Sequence, residues 1–193
     1  MLKKLTLLCV TAVVVFMIGF TIAPKNVDAH DIGYRWWNSN TKHMNINTSW
    51  GWAAADTAGA FNATDLTSVA STTGGDGTIY YQNLDLGAGG PVGRTIAYNT
   101  LNQACASIST GVVNTNCNKT DRKAKIAYVY FNEATYKNFI NTHTRFLFRH
   151  ETGHALGLNH VECSTPSVMF DGSCPIGANA LSVHDTNDIN GWY

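Results

Sequence analysis

An α+β fold is predicted for this chain: a twisted, mixed β-sheet of about five strands with a long helix, a backing helix and a C-terminal helix laid against it. Three observations predict it. Short segments with apolar and polar residues in alternation recur along the chain. Their succession, strand and helix first, then further strands, then helices, suits an α+β or α/β layer in which helices cover a sheet. A histidine-bearing segment, 139–156, ends at a glycine, as helices commonly do.

The elements follow in order. Thr41 to Trp50 places Met44, Ile46, Thr48 and Trp50 at every second position, which predicts a first strand. Trp52 to Ala63 is rich in alanine, with Trp52, Ala55, Ala58 or Gly59 and Ala63 near one face, so it predicts a helix. Asp65 to Ser71 and Thr78 to Leu84 read as two strands around the turn Thr73-Gly74-Gly75-Asp76-Gly77. Leu86 to Gly93 is a glycine-rich loop, and Arg94 to Asn99 a short strand after it. Lys125 to Asn132 carries the strongest strand signal in the chain. Phe139 to Leu156 is the long helix, 158–180 is irregular, and Leu181 to Tyr193 closes the chain as a helix with apolar Leu181, Ile189 and Trp192. The pair Trp36-Trp37 can serve as an exposed recognition surface, but burial of such large rings favours packing on the core.

Composition bounds the rest. The 193 residues suffice for one domain with a real core, and no internal repeat is visible. Net charge is zero and only 13% of residues are charged, so neither nucleic acid nor an anionic membrane is indicated as a partner. Residues 1–29 read as an export signal. Lys3 and Lys4 precede an almost wholly apolar run from Leu5 to Ala23, and Val27-Asp28-Ala29 offers compact residues at a cleavage site. The alternative is an uncleaved anchor, since the run approaches a membrane span. Cleavage puts the mature domain at 30–193, starting at His30. The expected product is secreted and extracellular, monomeric, and without stable membrane association.

Cys9 leaves with the signal, and Cys105, Cys117, Cys163 and Cys174 remain. Four cysteines in an exported chain predict two disulfides, with three pairings open. Cys105–Cys117 and Cys163–Cys174 is the simplest; Cys163 as a metal ligand is the competing idea.

The most informative stretch is His150-Glu151-Thr152-Gly153-His154-Ala155-Leu156-Gly157-Leu158-Asn159-His160. It fills every position of H-E-x-x-H-x-x-G-x-x-H. A chance match has a probability on the order of 10⁻⁸ per start position at ordinary residue usage. His150 and His154 lie four apart, so a helix puts them on one face, one turn from each other. Glu151 then lies beside a shared metal without binding it. Gly157 can take the positive φ of a helix exit, which lets His160 swing back as a third ligand. Three protein ligands leave the fourth position of a tetrahedral Zn2+ for water, as in catalytic sites. The competing reading, a buried helix with incidental polar residues, would need partners for three sets of imidazole nitrogens. Asp76, Asp85 and the glycine loops around them could hold Ca2+, but their spacing matches no EF-hand.

These residues resemble the metzincin clan of zinc endopeptidases. Met169, in Ser164-Thr165-Pro166-Ser167-Val168-Met169-Phe170, matches the Met-turn methionine, although an ordinary core methionine would look the same. The last segment is similar to the C-terminal helix of matrixins, matching at Leu181, Asp185, Ile189 and Tyr193. Gly89 to Ala97 resembles the loop and antiparallel edge strand bordering the cleft in that family. The likeness covers about the last hundred residues; the first sixty of the mature domain share only element order. Three features depart from it. His184 stands where matrixins usually have the first of two aspartates, so their N-terminal salt bridge is not expected. Asp188 stands at the usual helix glycine. No segment between Ala29 and the first strand can hold an inhibitory cysteine, so no pro-domain is expected. Asp171 occupies the position of the astacin and serralysin tyrosine, so no fifth ligand is expected from it.

The resemblance implies a zincin-like fold and a bacterial-type matrixin acting on proteins or peptides. His150, His154 and His160 would hold one zinc. Glu151 would act as general base and then acid, and Met169 would form an apolar floor under the metal. Arg94, Thr95, Ile96, Ala97 and Tyr98 would bind an extended substrate as an added strand. Two rivals use the same motif: a hydrolase of a non-protein amide or peptidoglycan cross-link, and a metal-bearing binding module without catalysis.

Overall fold

The computed structural model describes Ile32, Tyr34, Trp36 and residues 41–46, 50–62, 64, 67–71, 77–107, 112–113, 124–136, 139–164, 167–170 and 180–193. The expected signal segment and cleavage site, Trp37, most of the 73–77 turn, Cys117, Asp171 and Cys174 lie outside these residues.

The order is β1 (Thr41–Asn45), α1 (Gly51–Phe61), β2 (Thr67–Ser71), β3 (Thr78–Leu84), β4 (Gly93–Asn99), β5 (Ala104–Ser107), β6 (Val112–Val113), β7 (Ala124–Asn132), α2 (Glu133–Tyr136), α3 (Asn141–Leu156) and α4 (Val183–Asn190). The fold is α+β with one mixed sheet, ordered β2-β1-β3-β7-β4-β5-β6. The β2–β1, β1–β3 and β3–β7 pairs are parallel. The β7–β4, β4–β5 and β5–β6 pairs are antiparallel. The five expected strands are β1, β2, β3, β4 and β7. The sheet gains two more, β5 and β6, which are too short to leave a periodic signature. The first strand ends at Asn45, and Trp50, expected at its end, instead holds the cap position before α1.

Alternation along β7 fixes which face meets the helices. Ala127, Val129 and Phe131 are buried, and the residues between them, Tyr128 and Tyr130, are half-buried. Phe131 stacks on Phe148 of α3 at 4.2 Å between ring centroids, and Tyr81 of β3 meets the same ring at 5.0 Å. The other face carries Tyr80, Tyr98, Tyr128 and Tyr130, with Tyr128 in ring contact with each of the other three.

Helix α1 buries Ala53, Ala54, Thr57, Ala58 and Phe61, not the expected face through Trp52 and Ala55. Phe61 is the one large apolar side chain among them, and positions four and eight residues before it follow it inward. Trp52 is 40% exposed and instead leans on Trp50, with the Arg145 guanidinium 5.8 Å above its ring. Asp56 joins α1 to α3 through Arg149 at 2.9 Å. Trp36 is buried, as expected for that ring, and bridges to Ala124 at the start of β7.

Candidate metal centre

Helix α3 is mostly polar in sequence, yet its second half, from His150 to Leu156, is buried throughout. It starts at Asn141, two residues later than expected, because Ile140 is extended and caps it. It ends as the motif requires. Gly157 has φ 103, and the Leu158 N–H reaches back to the Gly153 carbonyl at 2.9 Å. This is a left-handed helix exit, which an L side chain would resist.

The exit brings His160 back onto α3. The three Nε2 atoms converge: His154 lies 3.1 Å from His150 and 3.1 Å from His160, and His150 lies 3.3 Å from His160. The far nitrogens of two rings meet backbone carbonyls: Nδ1 of His150 donates to Val168 O at 2.8 Å, and Nδ1 of His154 to Leu158 O at 2.8 Å. A carbonyl can only accept, so both Nδ1 atoms carry the proton in the neutral rings and both Nε2 atoms present lone pairs. Burial, then the neighbouring imidazoles, hold the His154 pKa well below its usual value. Buried lone pairs facing one another are unfavourable without a cation between them. The three histidines are therefore close enough and correctly presented to bind one metal ion.

Glu151 is 5% exposed and points from the same turn of α3 to β4. The Thr95 hydroxyl donates to its Oε2 at 2.6 Å and lies 3.0 Å from its main-chain oxygen. Burial pushes the Glu151 carboxyl up to about 7, with the Thr95 bond acting in the opposite direction.

Met169 is buried beneath this helix. A Cβ on Gly153 would collide with its sulfur, so the unassigned fourth position of the motif must be small. The turn is closed by Val161 N–H donating to Met169 O at 2.9 Å. Asp185, at the start of α4, secures it from the other side. Its carboxylate accepts from Ser167 Oγ, from Val168 N–H at 3.1 Å and from Ser182 N–H at 2.9 Å. Ser182 and Asp185 form a capping box, legible in retrospect as Ser182-Val183-His184-Asp185. Val168 thus links Asp185, through its N–H, to His150, through its carbonyl. His184 and Asp188, two of the three departures from the matrixin pattern, face each other at 3.1 Å.

The placement of β4 corrects one expectation. Arg94, Thr95, Ile96, Ala97 and Tyr98 do form an antiparallel strand, but not the sheet's edge. β5 pairs with it at Ile96, Ala97 and Tyr98. On that side the described pairing reaches Ile96↔Ser107, and residues 108–111, which follow, lie outside the described ones; a tight turn joins the other end of β4 to β5. Asn99 builds that turn by accepting from Leu101 N–H and Gln103 N–H. Cys105 and Cys163 are each in a disulfide, which removes Cys163 as a metal ligand. Asp85 Oδ1 accepts from Gly87 N–H, while Asp76 lies outside the described residues.

No protein-family model matches the chain, and no curated protein matches it. Among the described residues, no helix is long and apolar enough to cross a membrane.

Proposed function

We propose that this chain is a secreted, zinc-dependent endopeptidase of the metzincin clan, matrixin-like, with a zincin-like fold. The observation that carries the reading is the histidine triangle. Zinc–nitrogen bonds of about 2.0–2.1 Å at tetrahedral angles place donors roughly 3.3–3.4 Å apart. The Nε2 separations of 3.1–3.3 Å fit that shape. Three neutral imidazoles suit zinc, and so does the fixing of two of them by backbone carbonyls.

A zinc ion held by His150, His154 and His160 supplies Lewis acidity toward a carbonyl oxygen and lowers the pKa of water. The protein supplies the proton handling. Glu151 stands next to the first ligand in a buried position, where its carboxylate accepts a proton from the attacking water and returns it to the leaving amine. Burial favours the protonated form of Glu151, which suits a group that must hold a proton between two transfers. The start of β4, Gly93 to Thr95, lies beside Glu151, and an extended substrate would pair there through main-chain hydrogen bonds. Pairing of Cys105 with Cys117 and of Cys163 with Cys174 completes the proposal for an exported enzyme.

Digestion of casein or gelatin by the mature protein tests it. Cleavage at internal bonds that stops with a chelator and returns with zinc supports the reading. Cleavage of peptidoglycan fragments alone would move the chain to the amide-hydrolase rival. Zinc binding with no hydrolysis of any of these would make it a binding module.

A further inference from the structure

We propose that Gly93 and Thr95 of β4 form a seat for the Glu151 carboxylate, with Thr95 a positioning residue for the proton transfer assigned to Glu151. The inference rests on the peptidase reading above.

The strand's alternation sets up the seat. Thr95 and Ala97 are buried on the helix side, half-buried Gly93 shares their alternation, and Arg94 belongs to the other face. A Cβ at position 93 would overlap Oε1, Cδ and Cγ of Glu151, so the carboxylate occupies the room that a side chain there would take. Two positions on, the Thr95 hydroxyl ties Oε2 at 2.6 Å. One oxygen is therefore held by a donor and the other is backed by bare backbone. Both residues are buried, which strengthens the bond relative to one in water.

The contact is not needed to hold either element. β4 pairs with β7 along its whole length, from Gly93↔Phe131 to Asn99↔Ala124. Glu151 lies in the interior of α3, whose own ladder fixes its backbone. What the contact adds is orientation. The terminal torsion of a glutamate is broad and roughly two-fold. A proton acceptor must instead stand within hydrogen-bond reach of one particular proton. Tying Oε2 removes that freedom before substrate arrives.

The test uses zinc-loaded mature protein carrying Thr95→Val, Thr95→Ser or Gly93→Ala. Valine keeps the shape and removes the hydroxyl; serine keeps the hydroxyl. In Thr95→Val, kcat should fall by up to about 10²-fold, the scale of a misplacement of about 1 Å, with KM little changed. Thr95→Ser should restore it, and all three variants should retain zinc. A second readout does not depend on turnover. The chain has three glutamates, Glu133, Glu151 and Glu162, so carbon-13 labelling of their carboxyls gives three resonances, and Glu151→Gln identifies one. That resonance should move in Thr95→Val and Gly93→Ala and stay in Thr95→Ser. Wild-type kcat or an unmoved resonance in Thr95→Val overturns the seat, as does Thr95→Ser being as damaged as Thr95→Val. A wild-type protein that hydrolyses nothing, with the resonance responding as described, overturns the peptidase reading and the catalytic purpose of the seat with it.

Discussion

Backbone carbonyls fix two rings of the histidine triangle, and Thr95 fixes Glu151 beside it. Glu151 is bonded through its own side chain to Thr95 and is not one of the three converging histidines, so its role and theirs should separate on mutation. Glu151→Gln should keep one equivalent of zinc and lose roughly 10² to 10⁴ in rate, the usual contribution of a general base. His154→Ala should lose the metal itself, as measured by metal analysis of the purified protein. Full zinc occupancy in His154→Ala would remove it from the ligand set. Lys42 makes a different point. Its side chain is fully buried, with Nζ 5.1 Å above the Trp36 ring and 5.5 Å above the Tyr193 ring. The rings favour the cation, but burial dominates and lowers the pKa from 10.5 to about 8. Between those values the unfolded chain binds the proton more fully than the folded one, so stability rises with pH across that window. Below about 8 both states are protonated and the gain is lost. Urea midpoints of wild type and Lys42→Met, compared from pH 7 to 10, should therefore shift in favour of wild type as pH rises. A constant or opposite difference would contradict the burial effect.

At the scale of elements, the C-terminal end of α3 is bonded by segments from far along the chain in both directions. The last carbonyls of a helix have no partner within it. Here Tyr34 OH donates to His154 O, and Trp36 Nε1 to Ala155 O at 2.9 Å. Tyr193 OH donates to Leu156 O at 2.9 Å, and Ile32 N–H to Gly157 O at 3.1 Å. Donors from Ile32, Tyr34 and Trp36 and from Tyr193 thus close the helix that carries His150, Glu151 and His154. Tyr34→Phe and Tyr193→Phe should each cost about 1 kcal/mol, the net value of one such bond, and the double variant somewhat more than either. Hydrogen exchange should rise first at Leu158 to Val161. Exchange unchanged there in the double variant would show that the Gly157 exit holds by itself.

The described residues form one mixed sheet with α1 and α3 packed against it, and their core draws on residues from Ile32 to Ile189. Cys163 lies three residues beyond His160, and its disulfide anchors the chain between that histidine and the Met169 turn. Closing a loop to Cys174 would contribute on the order of 2–3 kcal/mol by the chain-entropy model. Reduction with a phosphine, which spares zinc where a dithiol would chelate it, should lower both thermal stability and activity in zinc-replete buffer. Peptide mapping should recover Cys163 joined to Cys174 and Cys105 joined to Cys117. Recovery of a Cys105–Cys163 or Cys117–Cys163 peptide would reject that pairing.

The sequence by itself determined what depends on neighbours within one or two helical turns. His150 and His154 share a face because they are four apart, and Gly157 turns the chain because it alone tolerates φ 103. The five longer strands followed from alternation, and the α+β class from their order. Only the tertiary structure decided what depends on residues far apart. Thr95 meets Glu151 across 56 positions and Tyr34 meets His154 across 120. No periodicity encodes such meetings, because period reports a residue's face and not what lies opposite. The same limit hid the true place of β4. Whether a strand is an edge is a property of the sheet, fixed here by β5 and β6, whose few residues carry too little pattern to be read. It also hid Lys42, since charge predicts exposure until packing of Trp36 and Tyr193 around one lysine overrides it.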